Sequence, residues 1–287
     1  VSADPPVKDP KDFVLIGSDL PKLDSVEKSN GTAIFTLDVY RDDMLTVVVA
    51  HPPKFGATVA SVDDTAALAV PGVEMVRQIP SGVAVYGRNT YAALKGRDAL
   101  VVTWDDSAAE KRSTDELFDE YVKAAEEGGL TVEEDGDLAA MDGAATTLEA
   151  EYRFPYLAHA PMEPLDAVIG VLDGLLLGAG DAVIGVKEGR AEMWFGSQFP
   201  GLDRPTAAGV LGIPMENLTI NIFFAGGSFG RRAQGSAHLA AETAEIAKAA
   251  GRDGAFKLVW TREDDLKGGY YRPMTVHKLP AGLDAEG

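Results

Sequence analysis

The sequence predicts an α+β fold, and three observations carry that reading. Short apolar runs with the two-residue alternation of strands recur along the chain, interrupted by only a few helix-length segments. The stretch Phe223-Phe-Ala-Gly-Gly-Ser-Phe-Gly-Arg-Arg232 joins one such strand to one such helix through a turn made almost wholly of backbone. At 287 residues and 46% hydrophobic content, the chain can bury a substantial core, and two domains are expected.

Residues 1–21 are rich in Pro, Lys and Asp and read as a linker, with a short strand at 13–16. Residues 22–108 form a small α+β domain. Its strands are expected at 32–39, 44–50, 57–62, 73–79, 83–86 and 99–104, with short helices at 63–70 and 90–95. His51-Pro52-Pro53 stops the second of those strands.

Residues 109–146 form an acidic helical connection: from Asp105 to Asp142 there are 14 acidic residues against 3 basic ones. A helix over 114–127 opens with the capping box Ser113-x-x-Glu116 and ends at Gly128-Gly129. Leu117, Phe118, Tyr121 and Ala124-Ala125 make one apolar stripe, which leaves the acidic face in water.

The second domain, 147–287, opens with a strand over 147–154. The strand runs into Pro155–Pro164, whose prolines permit neither a helix nor a central strand, and such a rigid segment suits a site wall. Strands follow at 167–172, 175–177, 183–186 and 191–195, then Gly196-Ser-Gln-Phe-Pro200 and a helix over 204–211. A strand at 218–224 enters the glycine loop, and Ser236 caps a helix over 237–250 that Gly251 ends. A strand at 256–260 and a polar loop over 261–273 complete the pattern.

Gly226, Gly227 and Gly230 leave backbone N–H groups open to close approach, and a helix N-terminus soon afterwards favours an anion. A phosphate cradle and a plain tight turn both fit. Ala225 stands where a dinucleotide fingerprint needs its first glycine, and no Walker lysine follows. Arg231 and Arg232 suit a phosphate or an ion pair with one of the many carboxylates. Ser228 lacks the spacing of a nucleophile elbow. His159 and Glu163 suit general acid/base work. His238, Glu242 and Glu245 share one helix face, and with Ala240, Ala244 and Ala247 as the packing face they are expected in water rather than on a metal.

The net charge of −19 argues against nucleic acid, whose binding needs a basic surface. Most of the acid lies before residue 150, so the second half is the expected home of a negatively charged ligand. With no cysteine there is no disulfide, cysteinyl zinc site or cysteine-held iron–sulfur cluster in these residues. No apolar run reaches the roughly 20 residues of a membrane span. Val1 and Ala285-Glu-Gly287 read as internal cut ends, so a fragment of a longer protein is expected.

Three separated phrases then carry a resemblance: Leu157-Ala-His-Ala-Pro-Met-Glu-Pro164; Phe224-Ala-Gly-Gly-Ser-Phe-Gly-Arg-Arg232; and Trp260-Thr-Arg-Glu-Asp-Asp265 with Gly268-Gly-Tyr-Tyr-Arg-Pro273. In this order they resemble the molybdenum hydroxylases, the family of xanthine dehydrogenase and aldehyde oxidoreductases, and within it the large subunits of the isoquinoline 1-oxidoreductase type. The resemblance implies a hammerhead domain over 22–108 and the first part of a molybdopterin-binding domain from 147 onward.

It also implies that Gln198, 31 residues before Phe229, hydrogen-bonds an oxygen on molybdenum. Gly226, Gly227, Ser228, Phe229, Gly230, Arg231 and Arg232 would line the molybdopterin, in its cytosine dinucleotide or another form, with no direct metal ligand. His159, Glu163, Tyr270 and Arg272 would face an aldehyde or small aromatic substrate. Electrons would pass to a small subunit carrying 2Fe–2S clusters. Xanthine-type members carry a glutamate where this chain has Arg231 to Ala233, which makes xanthine itself an unexpected substrate. The family's catalytic glutamate lies beyond residue 287, so the isolated residues are expected to be inactive. A non-catalytic module that binds a phosphorylated ligand or a partner protein is the alternative.

Overall fold

The computed structural model describes residues 5–172 and 189–287, and the strands expected at 175–177 and 183–186 lie outside them. The chain separates into two compact units, residues 1–34 and 35–287. The first contains a 3₁₀ turn at Pro10–Asp12 and helix α1 (Ser25–Asn30), which Gly31 ends in the left-handed conformation. Residues 13–16, expected as a strand, form turns.

The second unit runs β1 (Leu45–Ala50), β2 (Thr58–Asp63), α2 (Thr65–Leu68), β3 (Val73–Ile79), β4 (Gly82–Gly87), α3 (Thr90–Asp98) and β5 (Val101–Asp105). It continues through α4 (Thr114–Glu127), β6 (Thr146–Phe154), β7 (Asp166–Leu172), β8 (Arg190–Phe195), α5 (Pro200–Leu211) and β9 (Leu218–Ile222). Last come α6 (His238–Ala250), β10 (Gly254–Val259), α7 (Arg262–Lys267) and β11 (Thr275–Leu283). The fold is α+β, as the sequence predicts.

Seven strands form one mixed sheet in the order β3-β4-β1-β10-β7-β8-β9. Strands from 45–87 and strands from 166–259 therefore share one hydrogen-bonded layer. The pairs β1/β10 and β8/β9 are parallel and the remaining neighbours antiparallel. β1 shows why its sequence is apolar apart from one threonine, Thr46, which is itself buried. Leu45, Val47 and Val49 pack toward the core that includes α5 and α6, while Val48 packs with Ala67 of α2 and Ala93 of α3 on the other side. A strand buried on both faces has no polar side to alternate with. Each valine withdrawn from water contributes about 1.5–3 kcal/mol.

Two smaller ribbons flank the sheet, β2/β5 and β6/β11. The second pairs Thr146 through Phe154 with Leu283 through Thr275 in unbroken register. α4 packs on β11, with Glu126 accepting from Lys278 Nζ at 2.7 Å and Phe118 beneath Arg153. Its capping box forms as expected: Ser113 Oγ accepts from Glu116 N, and the Glu116 carboxylate accepts from Ser113 N.

Three local expectations differ. Residues 32–39 hold a 3₁₀ turn, Thr36–Asp38, in place of a strand, because Asp38 folds its carboxylate back onto Phe35 N. Ser236 does not cap α6, since Ala237 holds that place in the left-handed conformation and Ser236 bonds Gln234 instead. Residues 261–273 contain α7, which Thr261 and Asp264 cap reciprocally.

Candidate functional site

β8 and β9 are parallel neighbours, with Phe195 opposite Ile222. Their carboxyl ends therefore lie side by side, and the loops that follow them leave the sheet together. In open sheets this edge is where ligands are bound. Gln198 leaves from β8 and the glycine loop from β9, which is how two stretches about 30 residues apart come into contact.

The loop's backbone is bent by positive φ at Gly227 (106°), Phe229 (57°) and Gly230 (96°). Two turns fold it, from Arg231 N to Ser228 O at 3.0 Å and from Ala233 N to Gly230 O at 3.0 Å. Gly226 N donates to Glu163 Oε2 at 2.8 Å, but the N–H groups of Gly227, Ser228, Phe229 and Gly230 bond no described residue. Space over Gly230 is open, and the Phe229 ring is 72% exposed.

Gln198 is held by its carbonyl end. Its Oε1 accepts from Ser228 Oγ at 2.5 Å and from Arg232 N at 3.3 Å, and its Nε2 has no partner among the described residues. The arrangement leaves one side-chain N–H2 and four main-chain N–H groups as donors in one place.

The two arginines diverge. Arg232 turns inward, fully buried, with Nη2 at 3.5 Å from Glu163 and 3.4 Å from Asp166. Its Nε and Nη1 and Asp166 Oδ2 have no described partner. Burial, and then the neighbouring Glu163 charge, push the Asp166 carboxyl up to about 7. Arg231 Nη1 lies 2.9 Å from His238 Nε2, and the guanidinium faces the rings of Trp260 and Tyr270. Burial brings Arg231 down to about 10, and burial with the Arg231 charge brings His238 down to about 3, so His238 is a neutral acceptor. No ion pair joins Arg231 to a described carboxylate, and its buried Nη2 is unpartnered.

Of the substrate-side residues, Tyr270 stacks on His238 at 4.2 Å between ring centroids. Arg272 N donates to Leu157 O at 2.9 Å, which ties the Pro155–Pro164 segment to the end of the polar loop and leaves the arginine exposed. His159 is half-buried with an unpartnered Nδ1, and burial, Arg231 and Arg272 hold it below the usual histidine range. Glu163 bonds the glycine loop, and no hydrogen bond links it to His159.

Sequence reasoning missed a second polar centre. Glu242, expected in water, is buried, and it accepts from His51 Nε2 at 2.6 Å, Ser81 Oγ at 2.6 Å and Trp260 Nε1 at 2.7 Å. Four elements of the chain meet at one carboxylate, so α6 has buried surface on more than its alanine face. Local periodicity carries no signal for such a junction, because His51 and Ser81 lie more than 150 residues away. The group is not a nucleophile triad, since Ser81 donates to the carboxylate and not to the imidazole. It borders a cavity of about 200 Å³ lined also by Phe55, His238 and Tyr270. Among the described residues no cluster of acids and histidines has the makings of a metal site.

A family model described as the molybdopterin cofactor-binding domain matches residues 122–287. The chain is 33% identical to the isoquinoline 1-oxidoreductase subunit beta of Brevundimonas diminuta over 94% of its own length and 34% of that protein. It is 30% identical to a membrane-bound aldehyde dehydrogenase (pyrroloquinoline-quinone) of Gluconacetobacter polyoxogenes, over 98% of the chain and 35% of that protein. The chain thus spans about a third of these relatives. Its fold is that of part of quinoline 2-oxidoreductase from Pseudomonas putida 86 (TM-score 0.68, 17% identity, 93% of this chain and 37% of that one). Aldehyde oxidoreductase from Desulfovibrio gigas is equally similar (TM-score 0.68, 16% identity, 94% and 33%).

Proposed function

The chain belongs to the molybdopterin cofactor-binding domain family, and on that premise we propose that it forms one wall of the cofactor site in a molybdenum hydroxylase. The parent enzyme would hydroxylate an N-heterocycle or oxidise an aldehyde with oxygen taken from water. The observation that carries this reading is the donor array of the glycine loop: the unbonded amides of 227–230 beside a glutamine fixed by its oxygen.

These residues suit an anionic, oxygen-rich group. Main-chain N–H groups and a carboxamide N–H2 donate without carrying charge, and the guanidinium of Arg231, which makes no direct ion pair with a described carboxylate, lies close by. In this proposal Gly227, Phe229 and Gly230 would hold the molybdopterin through their backbones, and Gln198 Nε2 would donate a hydrogen bond to the bound group. Ser228 orients Gln198, and bound molybdopterin supplies the two-electron redox chemistry. Tyr270, His159 and Arg272 stand on the substrate side, where burial and then the Arg231 and Arg272 charges hold His159 below the usual histidine range. The base that activates water, and the 2Fe–2S subunit that receives electrons, are proposed to lie outside residues 1–287. We keep the division into a hammerhead-like domain at 22–108, an acidic connection at 109–146 and a cofactor-binding part at 147–287 within the same proposal.

The test is molybdenum by plasma mass spectrometry on the full-length protein and its Gly230→Val variant. Gly230 has φ of 96°, which a β-branched residue adopts only under strain. About one metal per chain is expected for the native protein, and at least a tenfold lower content for the variant, whose circular dichroism stays native. Equal metal content in both would overturn the assignment of this loop.

A further inference from the structure

The 226–232 turn supports itself only at its far end, where Arg231 N and Arg232 N donate to Ser228. Phe229, a non-glycine residue, sits at φ 57° between two glycines that also have positive φ. That conformation is disfavoured for a bulky L-residue, and four consecutive N–H groups return no internal hydrogen bond to a described residue. Strained backbone of this kind persists only when its surroundings over-determine it.

We propose that Glu163 and Arg232 are positioning residues that close a clasp around this turn and hold its amides outward. The proposal rests on reading the turn as the cofactor cradle. The clasp is a ring of contacts between its two ends. At the start, Gly226 N donates to Glu163 Oε2 at 2.8 Å, and Glu163 N donates back to Gly226 O at 3.2 Å. A Cβ on Gly226 would collide with Cβ of Glu163, so only glycine permits this approach. At the far end, Arg232 N donates to Ser228 Oγ at 3.1 Å and to Gln198 Oε1 at 3.3 Å.

The Arg232 guanidinium then returns to Glu163 Oε2 at 3.5 Å, the same oxygen that holds Gly226. One carboxylate oxygen thereby ties residue 226 to residue 232, and the strained segment bows out between them. Asp166, 3.4 Å from Arg232 Nη2, keeps the guanidinium in place from below. Arg232 in this account acts on its own loop and not on a ligand.

The test is hydrogen–deuterium exchange on the full-length, cofactor-free protein, read by mass spectrometry over the peptide that contains Gly226, Arg231, Arg232 and Ala233. Glu163→Ala is expected to speed exchange there about tenfold, the effect of losing one hydrogen bond to a charged acceptor, with β1 and β10 unchanged. Glu163→Gln keeps an acceptor for Gly226 N and is expected to restore most of the protection. Arg232→Lys, which retains charge but not reach, is expected to fall between them. Unchanged loop exchange in Glu163→Ala, equal acceleration across the chain, or no rescue by Glu163→Gln would each overturn the clasp. Molybdenum content separates this from the cradle reading: native protein that retains no metal overturns the cradle and leaves the exchange result standing.

Discussion

Glu242 on α6 and Asp166 at the head of β7 are both withdrawn from water, yet their carboxyl groups move in opposite directions. For each, burial is the largest influence and pushes the group up. At Glu242 it is outweighed by the His51 charge and by hydrogen bonds from His51, Ser81 and Trp260, which bring the group down to about 2. At Asp166 the nearest cation, Arg232, is shared with Glu163 at contacts of 3.4 and 3.5 Å, one oxygen has no described partner, and burial prevails. The difference shows that donors aimed at a carboxylate, and not its depth, decide whether it stays charged. The first centre is a saturated junction that holds elements together. The second is a loosely paired set beneath a loop that must stay open.

The largest expected effect tests that contrast directly. Glu242→Ala strands His51, Ser81 and Trp260 without their acceptor, and a loss of about 3–5 kcal/mol is expected, measured by urea unfolding. Asp166→Asn should cost far less under the same conditions. Equal losses in the two variants would remove the distinction.

The pH dependence is the next step down. Asp166 is raised in the folded state, so it favours folding below its unfolded value near 3.8, and this advantage is lost as pH rises through about 7. His51 is also raised, despite burial, by Glu242, and its contribution is complete below about 6.5 and lost above the folded value. Glu242 is depressed, so its contribution is present above its unfolded value and lost only as pH falls toward about 2. Stability should therefore decline by about 1–3 kcal/mol between pH 5 and pH 8, and Asp166→Asn should flatten that slope. A slope identical in native and variant protein would show that Asp166 is not the titrating group.

The smallest expected effect is Ser81→Ala, which removes one of three donors from Glu242 and leaves two. A loss of about 1 kcal/mol in thermal unfolding is expected, and a value close to that of Glu242→Ala would mean the junction is not shared as described.

Local patterns made much of the architecture legible. The helix over 114–127 was readable to the residue, because its capping box and closing glycines are encoded within a few positions. The glycine loop was legible as a turn for the same reason, as three glycines in five positions after an apolar strand. Gln198 was singled out only by the family resemblance, and the parallel pairing of β8 and β9 that brings it to the loop is tertiary. β11 was missed: Pro280 interrupts its strand signal, and the residue is tolerated because β11 lies at the edge of a two-stranded ribbon. The expected strand at 32–39 failed because a single aspartate, by bonding Phe35 N, favoured a tight turn over extension.

By itself, the sequence determined the α+β class, the run of most strands and helices, and the glycine turn within 224–232, all of which depend on near neighbours. The contact of that turn with Gln198, 30 residues away, depends instead on the pairing of β8 with β9. Only the tertiary structure decided the fate of the charges. It turned Arg232 inward and left Arg231 without a carboxylate, and it buried Glu242 at a junction of four elements. The energy of a buried ionised group depends on which donors other parts of the chain bring within about 3 Å of it, and no local pattern encodes that.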